Sequence, residues 1–309
     1  MNRKLYLPPP GRSCAGSSIA RAFAGLLLWW MAMAAGPAFA ASLAVVDAVQ
    51  APAWFERSGR MQPLAPGVEL QSGDIVRTGG SARVYLKLAE GSTVKLGEMA
   101  TMIFYSRSLQ PQRFFRGALD VASGAFRFTT DALKRNVGRD VSIRVVTATI
   151  GIRGTDVWGK AARDLDLVAL IEGQVELVRL GELLTLVPMS YLDAPREGTA
   201  QIRALDAELL ARLASETELP VGNGASKRRG NWRVSLGTAG DSEQALLLYD
   251  QAREAGFAVR IRPLPVIESG GWRYELHMAG FADAATAKRA ATRFTELTGL
   301  NATTTSAAH

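Results

Sequence analysis

The sequence predicts a two-domain chain, with an all-β unit over residues 41–200 and a smaller α+β unit over 231–309. A helix and flexible linker over 201–230 join them, and a leader occupies 1–40. Three observations carry that expectation. Hydrophobic alternation of period two runs from Ser42 to about Leu192, broken by turn residues every eight to twelve positions. A strand–turn–helix pattern in the last 79 residues recurs after 42 positions. The first 40 residues hold four basic side chains, no acidic one and the only cysteine, Cys14.

The leader has the parts of an export signal. Arg3, Lys4, Arg12 and Arg21 form a basic region, and residues 22–36 are apolar and uncharged. Pro37 ends the helical stretch, and Ala38-Phe39-Ala40 supplies the small-x-small pattern of a cleavage site after Ala40. The competing reading is a retained anchor, since the charge-free run reaches Val46, and only then does a membrane enter the picture. Either way the expected compartment is a bacterial periplasm, where a chain without cysteine after residue 14 cannot mispair. The leader also explains the charge. The whole chain carries +7, but residues 41–309 hold 32 basic against 29 acidic side chains, so no nucleic-acid partner is expected.

Strands follow in order through the β unit. In Ala82–Leu88 the residues Ala82, Val84, Leu86 and Leu88 share one face and Arg83 and Lys87 the other; Gly91 turns the chain, and Val94 and Leu96 repeat the pattern. Further strands are predicted over 45–49, 102–105, 118–121, 125–129, 142–149, 167–171, 175–180 and 183–187. The pattern does not choose between roll, solenoid and sandwich. Residues 201–217 switch to helical spacing through Ile202, Leu205, Leu209 and Leu213. Pro220–Ser226 reads as a flexible linker, and Lys227-Arg228-Arg229 as a solvated tether.

In the C-terminal unit, strand 232–236 and helix 241–255 recur as strand 274–278 and helix 283–298, and each half adds a second strand, 258–262 and 302–305. The order is βαββαβ, as in ferredoxin-like and RNA-recognition folds: two helices on one face of a four-stranded antiparallel sheet, the other face open. Alternation points Val234, Leu236, Leu276 and Met278 to the helices, and Arg233, Ser235, Arg273, Glu275 and His277 to the open face.

Two resemblances follow from particular residues. Val68-Glu69-Leu70-Gln71-Ser72-Gly73-Asp74, Glu90-Gly91-Ser92-Thr93-Val94, Thr149-Ile150-Gly151-Ile152-Arg153-Gly154-Thr155-Asp156 and Glu172-Gly173-Gln174 resemble the FecR domain over about 44–190. That family includes periplasmic sensor domains of anti-sigma factors, so the resemblance implies a protein-interaction or sensory role. About 21 residues precede the apolar stretch, too few for the cytoplasmic sigma-binding domain those proteins carry. Within the motif, Gly151, Arg153, Gly154 and Thr155 are candidates for turn geometry or partner binding. The C-terminal repeat resembles the SPOR domain, with Trp232–Thr238 and Tyr274–Phe281 at its two aromatic-led strands. This implies binding of peptidoglycan glycan strands stripped of stem peptides. Ser235, Ala239 and Glu275 depart from the family's customary residues at those places.

The glycan-binding candidates are Ser235 and Thr238 for their hydroxyls, Arg273 as a forked donor and Trp272 as an apolar plate for a sugar ring, with a buried hairpin anchor as the other reading of Trp272. His277 is read as a surface histidine. Two histidines and no cysteine beyond residue 14 give no metal site and no thiol nucleophile, and Asp164 and Asp166 alone make no catalytic pair. No cofactor and no enzymatic activity are expected. The first function that emerges is an exported peptidoglycan-binding protein with an envelope partner. The alternative is an envelope sensor whose β unit binds a transporter or regulator and whose C-terminal unit is a protein adaptor.

Overall fold

The computed structural model describes residues 42, 44–106, 114–130, 138–152, 154–267 and 270–306, without the side chains at 106, 114, 115, 138 and 139. The leader with its cleavage site, and Arg153, lie outside the described residues. The β unit is two facing sheets. One has the order β4 (Glu69–Leu70), β1 (Ala44–Gln50), β6 (Arg83–Leu88), β7 (Thr93–Leu96), β9 (Phe114–Thr129), β12 (Asp156–Ala161), β13 (Leu165–Glu172), β16 (Ser190–Pro195), β17 (Gln201–Ala204). The other runs β3 (Arg60–Pro63), β2 (Ala53–Arg57), β5 (Ile75–Thr78), β8 (Thr101–Ser106), β9 again, β10 (Gly138–Val145), β11 (Ala148–Ile152), β14 (Val175–Arg179), β15 (Glu182–Leu186). Only β9 and β10 pair in parallel among the described strands.

β9 belongs to both sheets. Its residues up to Ser123 pair with β8, and Gly124 onward pairs with β12. Gly124 makes the passage with φ +83°, and a Cβ there would lie 2.4 Å from the Ala100 Cα, so both conformation and space demand glycine. Between the sheets, Val46, Leu86, Phe104, Phe126, Phe128 and Leu170 form the centre of one continuous apolar core. This is a sandwich, which settles the choice that alternation left open. Two predicted strands, 118–121 and 125–129, are one bent strand, and the predicted strand 142–149 is a hairpin of β10 and β11. It turns where Thr147 donates from N–H and Oγ1 to Asp166 Oδ2 at 3.0 and 2.5 Å.

The segment predicted as a helix over 201–217 divides. Residues 201–204 are β17, with Ile202 exposed, and α1 (Ala207–Thr217) begins only at Asp206, whose carboxylate accepts the Leu209 N–H at 2.7 Å. Leu205 and Leu213 pack α1 onto the outer face of the first sheet over Ala125, Trp158 and Ala169. The residue after α1 fastens it. Glu218 accepts from Lys95 Nζ at 2.5 Å, Tyr85 Oη at 2.8 Å and Arg127 Nη1 at 3.1 Å, and Arg127 also forks onto Asp156 at 2.9 and 2.7 Å. Burial alone would raise the Glu218 pKa, but the hydrogen bonds and charges of Lys95, Tyr85 and Arg127 outweigh it and hold the carboxyl below its ordinary value.

The C-terminal unit has the sheet order β22 (Thr303–Ser306), β19 (Trp232–Ala239), β21 (Gly271–Phe281), β20 (Arg260–Val266), antiparallel throughout. Helices α2 (Ser242–Glu254) and α3 (Ala284–Thr298) cover one face. Asp241 and Asp283, 42 residues apart, cap both helices by accepting the N–H three residues on, at 2.8 and 2.7 Å. Val234, Leu276 and Met278 are buried beneath them, Leu236 packs partly, and the Phe257 and Phe294 rings meet edge to face at 5.0 Å.

The stretch read as a flexible linker is built into the structure instead. β18 (Ser226–Lys227) pairs with β1 on one side and meets Phe281 of β21 on the other, so backbone hydrogen bonds tie both units. Gly224 and Ala225 are buried, whereas Lys227, Arg228 and Arg229 point to solvent as expected. The Ala53 N–H donates to the Gly256 carbonyl at 3.1 Å, and Arg293 donates to the Gly80 carbonyl. Residues 41–309 are accordingly one compact unit.

Gly124→Ala is expected to cost about 2–4 kcal/mol through overpacking and strain, seen as a lowered urea midpoint with an unchanged slope. Glu218→Gln is expected to destabilise the chain at neutral pH. The contribution of a depressed carboxylate is present above the unfolded value near 4.3 and vanishes as pH falls through the folded one, so wild type and variant should converge in acid denaturation profiles below about pH 4.

Candidate functional site

The open face of the C-terminal sheet carries one polar row across all four strands. In register, Thr303 of β22 lies beside Ser235 of β19, Ser235 beside His277 of β21, and His277 beside Arg260 of β20. Flanking rows add Thr305 and Arg233 on one side and Thr238, Glu275 and Arg262 on the other, with Arg273 beyond. The bulge at Leu236-Gly237, where Gly237 takes φ +103°, restores Thr238 to this face.

The charge balance of this unit conceals a separation. Eight basic side chains match eight acidic ones, yet Arg233, Arg260, Arg262 and Arg273 share the open face with Glu275 as the one described carboxylate there. Arg262 Nη1 lies 3.8 Å from Glu275 Oε2, a loose pair in solvent worth at most about 1 kcal/mol. The remaining arginines leave a field suited to carboxylate or other electron-rich oxygens.

His277 is not a surface histidine. It is 8% exposed because the Ser235 and Arg260 strands flank it, and its Nδ1 is buried without a hydrogen-bond partner. Desolvation first, then the charges of Arg233, Arg260 and Arg262 against the opposing pull of Glu275, lower its pKa below 6.5, so it is neutral at pH 7. A neutral imidazole donates from one ring nitrogen and accepts at the other, and here Nδ1 is closed to solvent, so any exchange with a hydroxyl or amide on this face falls to Nε2. The signal in the sequence was its central place on an alternating strand.

The other candidates disperse more than expected. Ser235, Thr238 and Arg273 do share the open face. Ser235 Oγ accepts a long bond from the Gly237 N–H at 3.4 Å, and Thr238 and Arg273 are exposed. Trp272 has the opposite parity, that of Leu276 and Met278. It stands 58% exposed at the β20–β21 hairpin, neither in the core nor beside Ser235.

In the β unit, the chain leaves β11 at Ile152 in one sheet and enters β12 at Asp156 in the other, with Gly154 and Thr155 described between them. Gly151 sits in β11 between Ser142 and Glu176, and Gly154 turns with φ +68°. Thr155 is buried and exchanges bonds with Thr130: its N–H donates to Thr130 Oγ1 at 3.1 Å and its carbonyl accepts from the Thr130 N–H at 3.0 Å. Gly173 completes the corner, since a Cβ there would lie 2.4 Å from the Gly154 carbonyl oxygen. The next residue, Asp156, is held by Arg127. Asp164 is exposed while Asp166 is fully buried, 3.2 Å from Arg196, so these carboxylates do not act on a common atom. Among the described residues no group of His, Cys, Asp or Glu could hold a metal, and no helix is long and apolar enough to cross a membrane.

A two-sheet sandwich followed by a βαββαβ unit defines a chain of two binding or signalling modules. Comparison with known families specifies them: the FecR protein family matches residues 74–176 and the SPOR domain matches residues 228–304, so the chain joins a FecR domain to a SPOR domain. No curated protein matches it. Two crystal structures of a proposed anti-sigma factor from Parabacteroides distasonis are similar to it. One, at 1.65 Å, is 15% identical, covers 61% of this chain and 93% of its own, and has a TM-score of 0.38. The other, at 2.50 Å, is 14% identical, covers 73% and 91%, and has a TM-score of 0.39.

The imidazole of His277 should titrate below pH 6.5 in NMR. Because the unfolded chain then binds a proton that the folded one resists, stability should fall as pH drops from about 6.5, and His277→Asn should flatten that slope in urea titrations at pH 7 and pH 5.

Proposed function

We propose that the chain is an exported, non-enzymatic envelope protein that docks on peptidoglycan glycan strands through the open sheet of its SPOR domain, while the FecR domain engages a protein partner or senses a signal. The observation that supports this most is the Thr303–Ser235–His277–Arg260 row that crosses all four strands of the open face. Sugar hydroxyls and N-acetyl groups require donors and acceptors spaced along a shallow surface, which a row of hydroxyl, imidazole and guanidinium supplies. A glycan without stem peptides also bears free carboxylates on its muramic acid residues. Arg233, Arg260 and Arg273 suit those carboxylates, whereas amide-linked peptides would remove the charge and crowd the face. The departures at Ser235, where the family customarily has Gln, and Glu275, where Arg is common, shorten one side chain and exchange one cation for an anion, leaving Arg233, Arg260 and Arg273 in place.

The 41–309 unit is expected to co-sediment with purified sacculi, with more retained after amidase treatment. The double variant Arg233→Ala, Arg260→Ala should lose about a hundredfold or more in affinity, as two charge-assisted hydrogen bonds are each worth about 1.5–3 kcal/mol. Pelleting no greater than that of a control protein would sink the reading.

The sensor alternative has one observation in its favour: Val178, Leu180, Leu183 and Val187 stand exposed around the β14–β15 hairpin at the sheet edge. On that reading Leu180→Asp with Leu183→Asp abolishes capture of an envelope protein in pulldowns, and sacculi do not retain the chain.

A further inference from the structure

Where the two units meet, residues from both line a half-open cavity of about 350 Å³, within the range of small-molecule sites. Its apolar lining includes Val49 and Leu64 from the FecR side and Phe257, Val259, Met278 and Phe281 from the SPOR side. Its charged lining has one sign. Lys227 and Arg228 come from β18 and the residue after it, Arg260 from the start of β20 and Arg293 from α3, and no acidic side chain lines the cavity.

Lys227, Arg228 and Arg260 are exposed at the rim, and Arg293 is half-buried. Lys227, Arg228 and Arg260 have no ion-pair partner among the described residues. Arg293 donates one Nη2 bond to the Gly80 carbonyl, but its Nε is buried without a partner, and burial pulls its pKa down. An anion entering the cleft meets water-exposed cations at Lys227, Arg228 and Arg260 and a partly desolvated one at Arg293, and it gains most from Arg293. The chemistry of the rest narrows the anion. Ser226 is the one hydroxyl in the lining, so a sugar or polyol headgroup would leave its own donors unpaired. The small volume likewise favours a compact headgroup on an apolar body.

We propose that this junction is a binding site for a small apolar carboxylate, of the medium-chain fatty-acid class, with its tail on the Phe257–Met278 floor and its carboxylate among Arg228, Arg260 and Arg293. The site shares only Arg260 and the small Ala279 with the open sheet face and does not depend on glycan binding. Because its walls belong to both units, occupancy fixes their contact.

Calorimetric titration of the 41–309 unit with decanoate tests this. Saturable one-to-one binding is expected, at least tenfold tighter than for the neutral decanamide. Ala65→Phe, which fills the cavity without touching a cation, should abolish it, and Arg293→Met should weaken it at least fivefold. Arg228→Gln at an exposed side chain gives the same direction should Arg293→Met loosen the junction. Sacculus retention of Ala65→Phe should equal that of wild type, which separates this site from the sheet face. Absence of saturable decanoate binding, equal affinity for decanamide, or unchanged binding by Ala65→Phe would overturn the proposal. Tighter binding of N-acetyl-Leu-Leu than of decanoate would overturn the ligand class.

Discussion

A single strand shared by two sheets is the constraint from which the β unit follows. β9 pairs with β8 and β10 in its first half and with β7 and β12 in its second, so neither sheet exists without it. The two halves differ in direction only because Gly124 occupies a conformation closed to other residues, against the backbone of Ala100. Once that bend is set, the inner side chains of both halves face each other, and Phe126 and Phe128 meet the same core as Leu119 and Val121. The corner at Gly154–Asp156 is its counterpart, returning the chain from one sheet to the other. Gly154, Thr155 and Asp156 of the FecR domain thus stand where the chain passes between the sheets, with Asp156 placed to hold Arg127.

Arg127 then links this geometry to the second domain. It bonds Asp156 and Glu218 together, and Glu218 is where α1 ends and the connection to β18 begins. Two residues of β18 are enough to close the junction because both flanking strands are already fixed, so their donors and acceptors need no further ordering. Rigid docking of this kind leaves a hollow where two curved surfaces fail to match, and the cavity at the junction is that mismatch.

The helices of the C-terminal unit were legible to within a residue because they have strong local signals, aspartate caps at a 42-residue spacing and an apolar stripe on each, whereas three of its strands end two to four residues away from where alternation placed their ends. Much of the β unit was less so. β12, with Asp156–Ala161 buried on both faces, shows no alternation, since α1 covers Trp158 on the outside as the core covers Val157 within. Ile202 imitated a helical position by spacing alone, whereas Asp206 was the true start. The linker misled because glycine and asparagine, read as freedom, here serve close packing at Gly224. On the candidate face, alternation placed Ser235, Arg273 and His277 together but could say nothing of depth, which depends on strands remote in sequence.

The partition of charge in the SPOR domain has a further consequence. Half of its basic residues lie on the open face, while Asp241, Glu243, Asp250, Glu254, Asp283 and Glu296 belong to the helices and their caps on the other side. The domain is therefore a neutral body with a dipole moment across its thickness. A uniform field exerts no net pull on such a body, only a torque. Beside a polymer of carboxylates, where the field decays within about 8–10 Å, the near face is attracted more than the far one is repelled. Beside such a polymer, charge in this domain would both orient it and draw it in, turning the sheet toward the anionic side before any hydrogen bond forms.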